Sequence, residues 1–107
     1  MLTKSAKAKG RALQNLVRDL VKKYWGIVAK VRIMGEKGDD VYIEGSWQFY
    51  IECKNREKLS PWKHFQETQE KAGNKFPLLI IKKNGEKPLA IMDLNDFFDF
   101  SKQTEGL

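Results

Sequence analysis

The chain has one cysteine and one histidine in 107 residues. A single cysteine excludes an internal disulfide and fits a reducing compartment, so the cytoplasm is the expected location. Without a cysteine and histidine cluster, nothing supports a zinc site. No apolar run approaches the roughly 20 residues of a membrane span, and no secretory signal pattern opens the chain. Internal repeats, low-complexity linkers and a Walker-type phosphate loop are also missing, and Gly35, Gly38 and Gly45 read as turn residues. Acids are in the minority: 14 Asp and Glu stand against 20 Lys and Arg, a formal net charge of +6. That balance favours a polyanionic partner, most simply nucleic acid.

Hydrophobic residues make up 41% and aromatics 11%, enough for the modest core of one domain spanning residues 1–107 and too much for a disordered chain. Leu13, Leu16, Val17, Leu20, Val21 and Tyr24 recur at helical spacing, which predicts a helix from about Ser5 to Trp25, ended by Gly26. Ile27 to Met34 alternates Ala29, Val31 and Ile33 against Lys30 and Arg32, the pattern of a half-buried strand. Two further strands are expected near Asp40–Glu44 and Trp47–Lys54, around a turn at Glu44-Gly45-Ser46. Ser60-Pro61 offers a capping hydroxyl and a proline at the first position of a helix running to about Ala72. Pro77 to Lys82 is a continuous apolar run, as in a strand buried on both faces. After the turn signal Asn84-Gly85, a short strand covers Leu89 to Met92, and Asp93 or Asn95 caps a last helix with Leu94, Phe97, Phe98 and Phe100. The expected fold is α/β: a mixed central sheet flanked by helices, in the order α-β-β-β-α-β-β-α.

The most informative stretch is residues 38–54, GDDVYIEGSWQFYIECK. Side chains alternate across a strand, so Glu52 and Lys54 share a face, while Cys53 points the other way with Ile51 and Phe49. A hairpin brings Asp40 back beside the polar pair. Two carboxylates and an ammonium at one strand end suit a divalent metal and the anionic oxygens it polarises. Without metal the two carboxylates repel each other, and Lys54 partly offsets this. The bland counterpart is a solvated hairpin face.

Other residues have plainer readings. Cys53 is a packed core thiol; a nucleophile needs a base, and His64 sits on the next helix among polar residues. His64 itself is a surface residue or a phosphate contact. Lys4, Lys7, Lys9 and Arg11 are either the solvated start of a helix or contacts to a DNA backbone, and Lys82 and Lys83 could reach the same surface. Trp62 and Phe65, at helical spacing, are expected in the core. Phe97, Phe98 and Phe100 exceed what one helix face buries easily; they are core first and a dimer interface second.

The order of elements and the motif resemble the PD-(D/E)XK nuclease superfamily, whose shared core is α-β-β-β-α-β and whose signature is an acid, a spacer, then Glu-x-Lys. Within it the chain looks most like the small Holliday junction resolvase-like enzymes of archaea and phages. The likeness covers roughly Lys9 to Asp93. It rests on Gly38-Asp39-Asp40-Val41, Ile51-Glu52-Cys53-Lys54-Asn55 and the tryptophan helix opening at Pro61-Trp62.

The resemblance implies a restriction-endonuclease-like core and a magnesium-dependent endonuclease, with manganese as a substitute, acting on DNA. It implies metal binding by Asp40, Glu52 and the backbone carbonyl of Cys53. Lys54 orients or activates the attacking water. Asp40 is preferred to Asp39 because the apolar Val41 follows it directly. Asn55 and Arg56 join Lys4, Lys7, Lys9, Arg11, Lys82 and Lys83 as nucleic-acid contacts. A phage-encoded chain would act in the host cytoplasm. The pattern departs at the first helix, where many members place a metal-facing glutamate: this chain has Gln14 and Asn15 there, with Asp19 about a turn later, so Asp19 or a water takes that place. One of Gln66 and Gln69 could line the site, as polar residues of that helix do in relatives. Cutting a branched substrate such as a Holliday junction on two strands implies a homodimer. The competing expectation is a non-catalytic nucleic-acid-binding module with a nuclease-like fold, supported by the missing helix glutamate. A small interaction protein with an incidental basic face is a third.

Overall fold

A computed structural model of the chain describes residues 4–45 and 47–103; Ser46, expected in the hairpin turn, lies outside them. The elements follow the expected order. They are α1 (Lys4–Trp25), β1 (Lys30–Val31), β2 (Val41–Tyr42), β3 (Phe49–Asn55), α2 (Pro61–Ala72), β4 (Phe76–Lys82), β5 (Leu89–Ile91) and α3 (Leu94–Gln103). The five strands form one mixed sheet in the order β1-β2-β3-β4-β5. β3 and β4 are parallel, joined by a crossover through α2, and the other pairs are antiparallel. No described helix is long and apolar enough to cross a membrane.

Leu13, Val17 and Val21 are the buried residues of α1, spaced four apart on one face. They pack with Val41, Phe49, Ile51 and Ile80 on one side of the sheet. On the other side α2 presents Thr68 and Ala72, its two buried residues. β4 is therefore covered on both faces, and Leu79, Ile80 and Ile81 are all buried, as the apolar run predicted. Pro77 is tolerated inside β4 for a geometric reason. The Phe76 N–H donates to the Gln48 carbonyl on the β3 side, so the next backbone nitrogen faces the other neighbour. β5 pairs only with Leu79 to Ile81, and the donor that proline lacks has no partner there to lose.

Several boundaries differ from expectation. The strand predicted over Ile27–Met34 is ordered as a strand only at Lys30–Val31. Pairing continues through Arg32, whose N–H donates to the Asp40 carbonyl at 2.8 Å, and the chain then turns between Ile33 and Glu36. Ile33 is consequently exposed. Ser60 makes no side-chain cap; its carbonyl accepts from the His64 N–H, and Pro61 opens the helix without it. Trp62 is not core: it is 88% exposed. Phe65 is half-buried. At α3 the cap is Asp93, whose carboxylate accepts from the Asp96 N–H. Phe100 packs against Trp25, Phe49 and Phe76, whereas Phe97 and Phe98 are exposed.

The exposed Tyr24, Trp25 and Phe97 edge a groove of about 630 Å3 between α1, β5 and α3. Leu16, Leu20, Tyr24, Leu89, Leu94 and Phe97 line its mouth, and Phe49, Ile51, Leu78 and Ile80 form its floor.

Candidate active site

A smaller cleft of about 250 Å3 lies where β3 runs out between α1 and the β1–β2 connection. Asp40, Glu52, Cys53 and Lys54 line it together, so the three residues expected to carry chemistry are gathered in one place. Lys7, Arg11 and Gln14 come from α1, Arg32 from the end of β1, and Asn55 and Arg56 from the end of β3.

Asp40 is fixed by its neighbours on both sides. Its N–H donates to the Ile51 carbonyl, and its own carbonyl accepts from the Arg32 N–H, each at 2.8 Å. Its Oδ2 accepts from the Cys53 N–H, also at 2.8 Å. A side-chain oxygen thus replaces a strand carbonyl just where β2 begins. Burial raises the Asp40 carboxyl above its ordinary value, and the Cys53 N–H offsets part of that; Glu52 raises it further, while Lys54 and Lys71 lower it. The conflict between paired acids expected from the sequence therefore exists, with two lysines opposing it.

Glu52 is 7% exposed. Its Oε1 accepts from Lys71 Nζ at 3.2 Å, from the last turn of α2. The Cys53 carbonyl shares its direction with that of Ile51 two residues earlier, because strand carbonyls alternate. Ile51 faces Asp40, so the Cys53 carbonyl faces the same edge, at the cleft that Cys53 lines. Burial raises the Cys53 thiol, and the charges of Asp40 and Glu52 raise it further, which disfavours the thiolate a nucleophile requires.

Asp39, the neighbour set aside in favour of Asp40, has a structural place. Its Oδ1 pairs with an Arg32 guanidinium nitrogen at 3.0 Å, and its carbonyl accepts from Arg32 Nε at 3.0 Å. The guanidinium carbon also lies 3.9 Å from the Tyr42 ring centre. Gly38 allows this close approach: its φ is +126°, and a Cβ there would come within 2.8 Å of Arg32. The Arg32–Asp39 pair thus sets the loop that delivers Asp40.

The expected basic contacts divide. Lys7, Arg11, Asn55 and Arg56 border the cleft. Asn55 Nδ2 donates to the Lys9 carbonyl at 3.2 Å, tying the end of β3 to α1, and Lys9 borders an adjoining recess with Asn55 and Arg56. Lys82 is paired with Asn55 in the sheet register and Lys83 follows it, so both sit at this end of the sheet without lining the cleft. Lys4, at the first residue of α1, is exposed and outside it.

Asp19 is not brought to the cleft. Its side chain is 66% exposed and pairs with Arg18 at 3.0 Å. It lies five residues after Gln14, roughly 140° around the helix, so the α1 residue facing the cleft is Gln14. Gln66 and Gln69 are exposed and do not line it either. The α2 face turned to the sheet instead carries His64, Thr68 and Lys71. His64 is half-buried with an unpartnered, buried Nδ1; burial lowers its pKa, helped by Lys54 and Arg56. The sequence reading missed Lys71 and the tie between Arg32 and Asp39. The small buried residues Thr68 and Ala72 were the available signal for the packed face of α2, and they place Lys71 beside it.

Among the described residues no group of three or more His, Cys, Asp or Glu side chains converges as a metal cluster. Two carboxylates and a strand carbonyl are nonetheless hard oxygen donors, the type magnesium prefers, and magnesium commonly keeps waters and substrate oxygens in its remaining positions. The donor set therefore fits such an ion. Comparison with known protein families, curated proteins and solved structures gave no match.

Proposed function

We propose that this protein is a magnesium-dependent DNA endonuclease with a restriction-endonuclease-like core of the PD-(D/E)XK type. The observation that carries the reading is the convergence of Asp40, Glu52 and Lys54 in a cleft walled by Lys7, Arg11, Arg32 and Arg56. Asp40, Glu52 and the Cys53 carbonyl would hold the ion, which supplies Lewis acidity at a phosphate oxygen and lowers the pKa of a bound water. The protein's own groups do the rest. Lys54 orients the attacking water and stabilises negative charge gathering on the phosphate. The cationic walls grip the sugar-phosphate backbone and fix its register. The Arg32–Asp39 pair holds the Asp40 loop in place before substrate arrives, so little reorganisation is needed.

The favoured substrate is branched DNA, such as a four-way junction, cut by a homodimer. The groove between α1 and α3 is the surface for the second copy. Its lining is apolar, with Leu16, Leu20, Leu89, Leu94 and Phe97 at its mouth, and a two-fold axis would bury that face against its own copy. The second reading, a nucleic-acid-binding module without catalysis, is favoured by one feature: α1 offers the cleft Gln14 rather than an acid. Incubation with linear, nicked, flapped and four-way DNA in magnesium or manganese separates the two. Metal-dependent cleavage supports the enzyme; salt-sensitive binding without cleavage supports the module.

A further inference from the structure

Lys71 is an unassigned charge held against Glu52, one of the acids of the cleft. Its ammonium reaches from the end of α2 to the nearly buried Glu52 at 3.2 Å, yet its side chain is 57% exposed. Thr68 and Ala72 carry the packing of this part of α2, so the lysine stem can swing without disturbing the core. Its charge is felt at both acids, since it lowers the Asp40 carboxyl as well as pairing with Glu52. Around Asp40 and Glu52, two ammoniums, Lys54 and Lys71, thus stand against two carboxylates. A divalent cation would overturn that balance and leave an excess of positive charge. Lys71 also occupies an oxygen of Glu52 that a metal would use.

We propose that Lys71 is a displaceable counter-ion: it holds Glu52 in the metal-free protein, yields that oxygen to the divalent cation, and then turns to the substrate phosphate. This rests on the nuclease reading above and extends it. Lys71 makes metal and DNA act in sequence, because the ammonium is released to bind phosphate only once a cation has replaced it. It is a positioning residue before the metal and a phosphate contact after it.

The test is calorimetric titration of Mn2+ into wild type, Lys71→Met, Lys71→Arg and Asp40→Ala, with melting temperatures measured with and without the ion. Lys71→Met keeps the stem and removes the competing charge. It should melt lower than wild type without metal, bind Mn2+ about tenfold tighter, roughly the effect of one pK unit of charge interaction, and lose the melting deficit at saturation. Lys71→Arg should stay near wild type. In Ca2+, Lys71→Met should bind duplex DNA more weakly than wild type. A merely structural lysine would weaken Mn2+ binding along with the fold. If Lys71→Met does not fold, Lys71→Gln, which keeps a donor to Glu52 without charge, should show the same tightening. Mn2+ binding that depends on Asp40 but is unchanged or weaker without the Lys71 charge overturns this inference alone. No Asp40-dependent binding in wild type overturns it together with the nuclease reading.

Discussion

The cleft and the groove are built from one strand and have opposite chemistry. Phe49 and Ile51 of β3 point into the groove, while Glu52 and Lys54 line the cleft. The groove is the larger, about 630 Å3 against about 250 Å3, but its lining is aliphatic and aromatic, without a carboxylate, histidine or basic side chain. The larger cavity is therefore the one without titratable side chains of the kind that line the cleft. The alternation of a strand supplies apolar residues to one side, and where the strand runs out its polar residues meet the polar start of α1 and the β1–β2 connection. The candidate site thus belongs to the end of the strand, and the groove to the gap between α1 and α3 over its apolar face.

The sharpest way to break the comparison is to disable one surface and read both. Glu52→Gln or Lys54→Ala should lower cleavage of four-way DNA by about 10²–10⁴-fold. The dimer should persist in sedimentation. Initial rates equal to wild type in both variants would move the chemistry elsewhere. Conversely, Phe97→Glu puts a charge in the mouth of the groove. It should weaken dimerisation by at least about thirtyfold, the scale of an interface hot spot, and leave Mn2+ affinity at the cleft unchanged. A protein that is monomeric at micromolar concentration before any substitution would remove the groove's role and, if linear and branched DNA were cut equally, the preference for junctions.

A smaller effect separates the two adjacent aspartates. Asp39→Ala leaves the Arg32 guanidinium without its partner and should cost about 1–3 kcal/mol of stability in urea unfolding. Cleavage should fall less than in Asp40→Ala. Equal stability would mean that the Arg32–Asp39 pair does not hold the loop. The smallest effect is a pH dependence. Because burial raises the Asp40 carboxyl in the fold, the folded chain takes up that proton more readily than the unfolded one. Its stabilising contribution is present below the ordinary carboxylate value and is lost as pH rises through the folded value. Asp40→Asn removes the charge, so the metal-free variant should be more stable than wild type at pH 7. The difference should shrink in acid. A variant less stable at every pH would show that the Cys53 hydrogen bond outweighs the cost of burial.

Much of this was legible from residue pattern. The eight elements and their order follow from periodicity and turn residues, and the meeting of Asp40 with Glu52 and Lys54 follows from a hairpin whose register is set by alternation. What escaped detection depends on rotation and on distant contacts. Asp19 sits about a turn along from Gln14, but on another face of α1. Trp62 is apolar and at helical spacing, yet the face of α2 against the sheet is set by Thr68 and Ala72, small enough for close approach to β4. Lys71 and Glu52 are 19 residues apart in sequence, and no local pattern couples them. The strand predicted from Ile27 to Met34 is cut short at its end by the turn between Ile33 and Glu36, which follows the last pairing at Arg32 and overrides β-branched propensity.

The central claim is that the cleft hydrolyses DNA with a divalent cation. It is tested most directly by incubating the wild-type protein with end-labelled four-way and linear DNA in Mg2+, in Ca2+ and in excess chelator. Cleavage in Mg2+, strongest on the four-way substrate, binding without turnover in Ca2+, and no cleavage in chelator are the predicted results. Full cleavage in chelator, or none in either Mg2+ or Mn2+, would contradict the account.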